Sequence, residues 1–191
     1  MKKGRARFFA PLADADVDAA PLQTPEELDA AIATFLPWMS GGDGFEVHSG
    51  RAGIVLAFLY LSEMETEAGR REEWHARART EACGLLERRV AVDGCTFVNG
   101  EAGVLCVAAA ACGGPAEQAR AVQWLAEAAA AAVDAELPDE LWYGRAGLLS
   151  AVLFAQDRFA DGTATAALRE AQLRLWDRTV AASDFTWHGT R

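Results

Sequence analysis

The sequence predicts an all-α protein in two layers, with fully apolar helices shielded by amphipathic ones. Three observations predict it. The pattern Gly-x-Ala-Gly occurs at residues 50–53, 100–103 and 144–147, its first glycines 50 and then 44 residues apart. A period in that range marks an array of supersecondary units, none of which buries its apolar face alone. Each copy opens an apolar run. The composition is 51% hydrophobic with much alanine and two tyrosines in 191 residues, which favours close-packed helix over sheet.

Residues 1–23, with Pro11 and Pro21, read as an irregular N-terminal arm, and residues 24–191 as the domain. Thr24 at the N-cap, Pro25 at the first helical position and Glu27 two residues later make a capping box. That helix runs to about Phe35, where Pro37 stops it, and Gly41-Gly42-Asp43-Gly44 forms a loop. The next helix starts at Gly50, and its run 54–61 is apolar all round, so it must be buried on most faces. From about residue 70 to 89 charges occupy one side, with Trp74, Ala78, Cys83, Leu85 and Leu86 on the other, as in an outer helix. The helix over 100–112 is again apolar all round, with its run from Val104 to Cys112, and Gly113-Gly114-Pro115 breaks the chain. An outer helix follows to about Val133, with Trp124 and Leu125 inward; an inner helix starts at Gly144; and an outer helix over about 165–180 turns Leu168, Leu173, Leu175 and Trp176 inward.

The shared start of the inner helices has a packing rationale. Residues three apart lie on one helix face. Two glycines there, with a small alanine between, let the first turn press on neighbouring backbone, and the first glycine suits a non-helical N-cap. The structural motif is therefore Gly50, Gly53, Gly100, Gly103, Gly144 and Gly147. No strand of a βαβ unit precedes any copy, so these are not phosphate loops.

The net charge of −10 argues against nucleic acid as a partner. No apolar run approaches the roughly 18–20 residues of a membrane span. The basic start meets Pro11, Asp14, Asp16 and Asp18 too soon for a signal peptide, and Met1-Lys2 excludes N-myristoylation. A cytoplasmic protein is expected. Cys83, Cys95, Cys106 and Cys112 form no C-x-x-C pair and read as buried, reduced thiols without metal-ligand spacing.

Several segments resemble eukaryotic lanthionine synthetase C-like (LanC-like) proteins. His48-Ser49-Gly50-Arg51-Ala52-Gly53-Ile54 is similar to the family's first repeat and Phe97-Val98-Asn99-Gly100-Glu101-Ala102-Gly103 to its second. Leu141-Trp142-Tyr143-Gly144-Arg145-Ala146-Gly147, continuing through Leu148-Leu149-Ser150-Ala151-Val152-Leu153-Phe154, is similar to its third. Arg7-Phe8-Phe9-Ala10-Pro11-Leu12 resembles the family's N-terminal arm, and Phe185-Thr186-Trp187-His188-Gly189-Thr190-Arg191 the stretch before its Gly-Ala-Ala-His-Gly motif. The resemblance implies an α/α toroid of seven inner and seven outer helices. This chain would supply about half of it, ending before the fourth inner helix.

The resemblance also implies chemistry. Family members hold zinc through two cysteines and a histidine of later repeats. They add thiols to dehydroamino acids, glutathione being the thiol of the eukaryotic members, and some sit peripherally at the plasma membrane. The family's ligands directly precede the glycine of their repeat, and here those positions are His48-Ser49, Val98-Asn99 and Trp142-Tyr143. No catalytic or zinc-binding set maps onto the chain, and the expectation is no cofactor of its own and no activity alone. His48 lacks a cysteine in register, His75 reads as a surface residue, and His188 precedes a motif that is absent.

Two residues carry a candidate ligand-binding role. Arg7 matches the arm's arginine, placed near the carboxylate of glutathione, against the alternative of a solvated terminus. Arg145 has two roles open to it, a reach into the central cavity or a salt bridge at the helix start. Expected partners are glutathione or a peptide, with self-association through the open toroid edges. Two alternatives to a LanC-like fragment stand: a helical scaffold that binds a peptide or partner without catalysis, and an unrelated glycosidase-like α/α barrel. The latter would use carboxylate pairs such as Asp43 with Glu46 or Asp139 with Glu140.

Overall fold

A computed structural model describes residues 44–88, 94–159 and 162–182, with Thr24 and positions 26, 27, 30, 31, 33 and 34 of the helix after it; side chains of the last segment are described over 166–180. Arg7, the arm over 1–23 and the closing segment with His188 lie outside the described residues. The chain divides into two compact units, Met1–Trp38 and Met39–Arg191.

In the first unit the capping box forms as the sequence requires. The Thr24 backbone N–H donates to a Glu27 carboxylate oxygen at 3.1 Å, and the Glu27 N–H donates to Thr24 Oγ1 at 3.2 Å. Two helix-start donors that lack helical partners are thus satisfied reciprocally.

The second unit consists, among the described residues, of six helices and no strand: α1 (Arg51–Met64), α2 (Ala68–Arg88), α3 (Glu101–Cys112), α4 (Pro115–Asp134), α5 (Arg145–Arg158) and α6 (Gly162–Ala182). The three glycine-launched helices lie side by side as an inner layer, α1 on α3 and α3 on α5. The outer helix α2 packs on α1 and α3, α4 on α3 and α5, and α6 on α5 and α4. This is an all-α, partial α/α toroid.

The inner layer is fully apolar for a reason visible in α3. It has neighbours on both sides and outer helices behind, and Ala102, Cys106, Val107, Ala108, Ala109 and Ala111 are all buried. Alanine there lets α4 and α5 approach closely, with Leu125, Leu148, Leu168 and Leu175 filling the space between layers. Each such leucine contributes roughly 1.5–3 kcal/mol by burial. The flanking inner helices differ from expectation. Tyr60 and Met64 of α1 and Leu153 of α5 are exposed, because among the described residues these two helices have an inner neighbour on one side only.

The outer helices follow the 3.6-residue period strictly. On α2, Trp74, Ala78, Ala82 and Leu85 are buried, and Trp74 stacks on Phe58 of α1 with ring centroids 5.8 Å apart. Cys83, expected inward, is exposed. At about 100° per residue it stands opposite Trp74, and Ala82 takes its place. On α6 the buried face is Leu168, Ala171 and Leu175. Leu173 and Trp176, also expected inward, are exposed together with Val180, because they lie about 80–140° around the helix from Leu168.

The ends of the inner helices are tied together. Arg158 at the end of α5 donates to Glu63 near the end of α1, Nη2 to Oε2 at 3.1 Å, and lies over the rings of Tyr60 and Phe154 at 5.3 and 5.5 Å. Gly113, at φ +65°, terminates α3 in the left-handed conformation that glycine adopts at least cost, and Pro115 opens α4. Among the described residues no helix is long and apolar enough to cross a membrane.

Candidate functional site: a rim of three helix-capping loops

Each inner helix is entered from a seven-residue loop, residues 44–50, 94–100 and 138–144, that folds back over the helix start. The first helical N–H donates to the carbonyl seven residues earlier in all three: Arg51 to Gly44 at 3.1 Å, Glu101 to Gly94 at 3.0 Å, and Arg145 to Pro138 at 2.9 Å. Further donors repeat the step, Ala52 to Phe45, Gly103 to Thr96 and Gly147 to Glu140. The capping glycines carry no side-chain cap. Backbone carbonyls of the loop therefore satisfy the helix-start N–H groups that an ordinary N-cap side chain would serve.

This geometry explains the glycines differently from a helix-on-helix contact. Gly50, Gly100 and Gly144 have φ near −120°, which any residue adopts. What they supply is room. A Cβ on Gly50 would stand 2.6 Å from the Glu46 nitrogen, and one on Gly144 would stand 2.8 Å from the Glu140 nitrogen. The second glycine of each motif lies beneath its own loop's carbonyl, that of Val47, Phe97 or Leu141. It also receives the preceding repeat: Val47 stands over Gly103, and Thr96 over Gly147.

The residue four before each first glycine organises its loop. Thr96 is buried, accepts the Asn99 N–H at 3.3 Å and donates its hydroxyl to the Trp142 carbonyl at 2.8 Å. Glu140 accepts the N–H groups of Trp142 and Tyr143. Glu46 accepts the Ser49 hydroxyl at 3.1 Å. Backbone hydrogen bonding at Glu46 itself, opposed by partial burial and aided by Ser49, holds this carboxyl below the usual range. A carboxylate with a depressed folded value contributes stability above its unfolded value, lost as pH falls through the folded one. The melting temperature should accordingly fall less steeply on acidification in Glu46→Gln than in the parent. Parallel curves would remove Glu46 from this role.

The loops are also joined to each other. The His48 N–H donates to the Val98 carbonyl at 3.0 Å, the Thr96 hydroxyl bonds the Trp142 carbonyl, and the Phe97 N–H donates to the Gly147 carbonyl in the first turn of α5 at 3.0 Å. The result is one continuous rim along the starts of α1, α3 and α5. Its exposed side chains include His48, Ser49, Glu140, Leu141, Trp142 and Tyr143, and the His48 ring meets Trp142 edge-on at 4.7 Å.

Arg145 belongs to the floor of this rim. It is 2% exposed. Its Nε donates to the Ala132 carbonyl at 2.9 Å, Nη1 to the Leu137 carbonyl and to Asp139 at 2.9 Å, and Nη2 to the Ala135 carbonyl. Of the two roles open to it on sequence grounds, the geometry is that of the helix-start contact. The guanidinium turns back into the loop after α4 instead of towards a ligand.

The donor set of the rim does not fit zinc. His48 is its sole imidazole, with Ser49, Asn99 and Tyr143 at the neighbouring positions. Of the four thiols, Cys95 belongs to a rim loop, in residues 94–100, and the other three lie elsewhere. Cys106 is buried against the Ala151 carbonyl at 3.7 Å, with burial driving its thiol far up, and Cys95 is half-buried beside the core and also raised by burial. Cys83 and Cys112 lie on α2 and at the end of α3. Only Cys106 matches the buried state expected of all four. His75 is half-buried, its Nδ1 3.4 Å from Arg79. Among the described residues no group of three or more His, Cys, Asp or Glu is placed to hold a metal ion. Asp139 and Glu140, weighed as a catalytic carboxylate pair, are engaged with Arg145 and with loop amides; Asp43 lies outside the described residues.

The loop-organising position is not marked in the sequence, where Glu46 and Glu140 enter only as members of candidate carboxylate pairs. A signal for the loops existed: Gly44, Gly94 and Pro138 each stand six residues before a motif glycine. No curated protein matches the chain. The family of the lanthionine synthetase C-like protein matches residues 43–188, a span holding all three loops and all six helices. The chain therefore belongs to the lanthionine synthetase C-like family.

Proposed function

We propose that this chain serves thiol addition to dehydroamino acids as a substrate-presenting wall of a LanC-like toroid, and that it does not itself activate the thiol. The observation that supports the reading is the content of the rim. Where the family resemblance places metal ligands, this chain carries His48-Ser49, Val98-Asn99 and Trp142-Tyr143 on a rigidly capped frame. Such a surface offers a peptide an aromatic platform beside an exposed imidazole, with no thiolate beside it. Arg7 is the proposed partner for a glutathione carboxylate, through bidentate pairing.

The test combines the purified chain with zinc, glutathione and a dehydroalanine peptide. Thioether formation should stay at the uncatalysed rate, while the peptide binds and Trp142→Ala weakens that binding by about tenfold, as loss of an aromatic anchor does. Product above the uncatalysed rate would overturn the reading.

A second reading, a scaffold that associates with a protein partner or with itself, is favoured by the exposed row of Leu173, Trp176 and Val180 on α6. Solution mass discriminates. A peptide-binding monomer supports the first reading, and a dimer dissolved by Trp176→Glu supports the second.

A further inference from the structure

Two thiols at the far end of α3 from the rim stand together. Cys83 on α2 and Cys112, the last residue of α3, have their sulfurs 3.9 Å apart and unbonded. Cys83 is exposed and Cys112 half-buried. The contact joins an outer helix to an inner one at packed surfaces. A disulfide needs an S–S distance of about 2.0 Å, so the two sulfurs have to approach by about 2 Å as their side chains turn. The charged groups acting on Cys112 are Arg79, one turn before Cys83 on α2, and Glu117 in the first turn of α4. Burial, then the neighbouring Cys83 and Glu117, push the Cys112 thiol up to about 11, with Arg79 opposing.

We propose that Cys83 and Cys112 form a reversible disulfide, a redox-modification site that staples α2 to α3 when the chain meets a two-electron oxidant of the hydroperoxide class. The Cys83 thiolate, open to solvent, attacks one peroxide oxygen. The O–O bond breaks, the departing oxygen leaves as alkoxide or hydroxide and takes a proton, and Cys83 becomes a sulfenic acid. The Cys112 sulfur then attacks the Cys83 sulfur. The S–S bond forms, the S–O bond breaks, and hydroxide leaves with the proton from Cys112. Two thiols lose two electrons to the peroxide, giving disulfide, water and the alcohol (a second water for hydrogen peroxide). An external dithiol reverses it by exchange.

The staple closes a loop that contains residues 94–100 of the rim and the whole of α3. Oxidation therefore restrains the unfolded chain around the central inner helix. The other two cysteines act as internal controls, since Cys106 is sealed in the core and Cys95 packs beside it.

The experiment treats the reduced full chain with near-stoichiometric hydrogen peroxide and follows intact mass, free thiols, tryptic peptides and melting. The expected result is loss of two hydrogens, a fall from four titratable thiols to two, and one linked peptide pair whose fragmentation places the bond between Cys83 and Cys112, since the tryptic peptide 90–120 also carries Cys95 and Cys106. Melting should rise by about 5–10 °C, and dithiothreitol should reverse every change. Cys95→Ser should keep the link, and Cys83→Ser, altered at an exposed position that leaves the core intact, should lose it. A link through Cys95 or Cys106, a dimer joined between chains, or oxygen added at Cys83 without a link would each overturn the proposal.

Discussion

Gly103→Ala should lower the stability of the second unit by about 3–4 kcal/mol, the upper end of overpacking costs. The added Cβ would land on the Phe97 carbonyl oxygen and 2.8 Å from Val47 Cγ2. Neither neighbour can retreat cheaply. The Phe97 N–H is bonded to Gly147, and Val47 precedes His48, whose own N–H is bonded to Val98. One methyl group would thus disturb two loops and the first turn of α5 at once. Gly84→Ala is the matched control. It lies inside α2 with nothing within 4 Å of the added carbon, and should stabilise by about 0.5–1 kcal/mol through helix propensity alone. Urea unfolding of both variants checks the pair, and equal, small effects would show that the loops yield.

Arg145→Met should cost about 3–5 kcal/mol, the range for breaking a buried ion pair from one side. Methionine fills much of the volume but leaves the carbonyls of Ala132, Ala135 and Leu137 and the carboxylate of Asp139 without their donor. The corresponding Arg51 reaches Glu81 across the surface, with both side chains about one-third exposed. Arg51→Met should cost no more than about 1 kcal/mol, as exposed pairs do. The contrast separates two arginines that occupy the same place in their repeats. A small loss at Arg145 in urea unfolding would mean that water replaces the guanidinium.

Much of the helical order was legible in the residues. The capping box at Thr24 and Glu27 formed with the bonds its spacing requires. The three apolar runs became the inner layer, and the break at Gly113-Gly114 fell between α3 and α4, with Pro115 opening α4. Each of these is a local property, written within a few turns. The misplaced side chains were local too. Cys83, Leu173 and Trp176 were read as core because they are apolar, whereas their angle around the helix turns them to solvent.

The candidate site was less legible, because its parts meet across about fifty residues of sequence. Thr96 gives no sign in its neighbourhood that it will bond the Trp142 carbonyl. The motif glycines announced a close approach, and only the fold revealed that each helix's own entry loop makes it, with the preceding repeat adding a side chain at the second and third. Arg145 illustrates the same limit, since its residue type allowed a ligand contact and its surroundings chose four backbone and carboxylate acceptors.

The sequence by itself determined the helical content, the alternation of inner and outer layers, and family membership, since periodicity and capping are written in short range and the three motifs recur in order. Tertiary structure alone decided that three loops fuse into one rim, that Arg145 is sealed beneath it, and that two distant cysteines become neighbours. The physical reason is that steric fit and hydrogen-bond pairing between remote segments depend on how helices stack, and no local pattern carries that information.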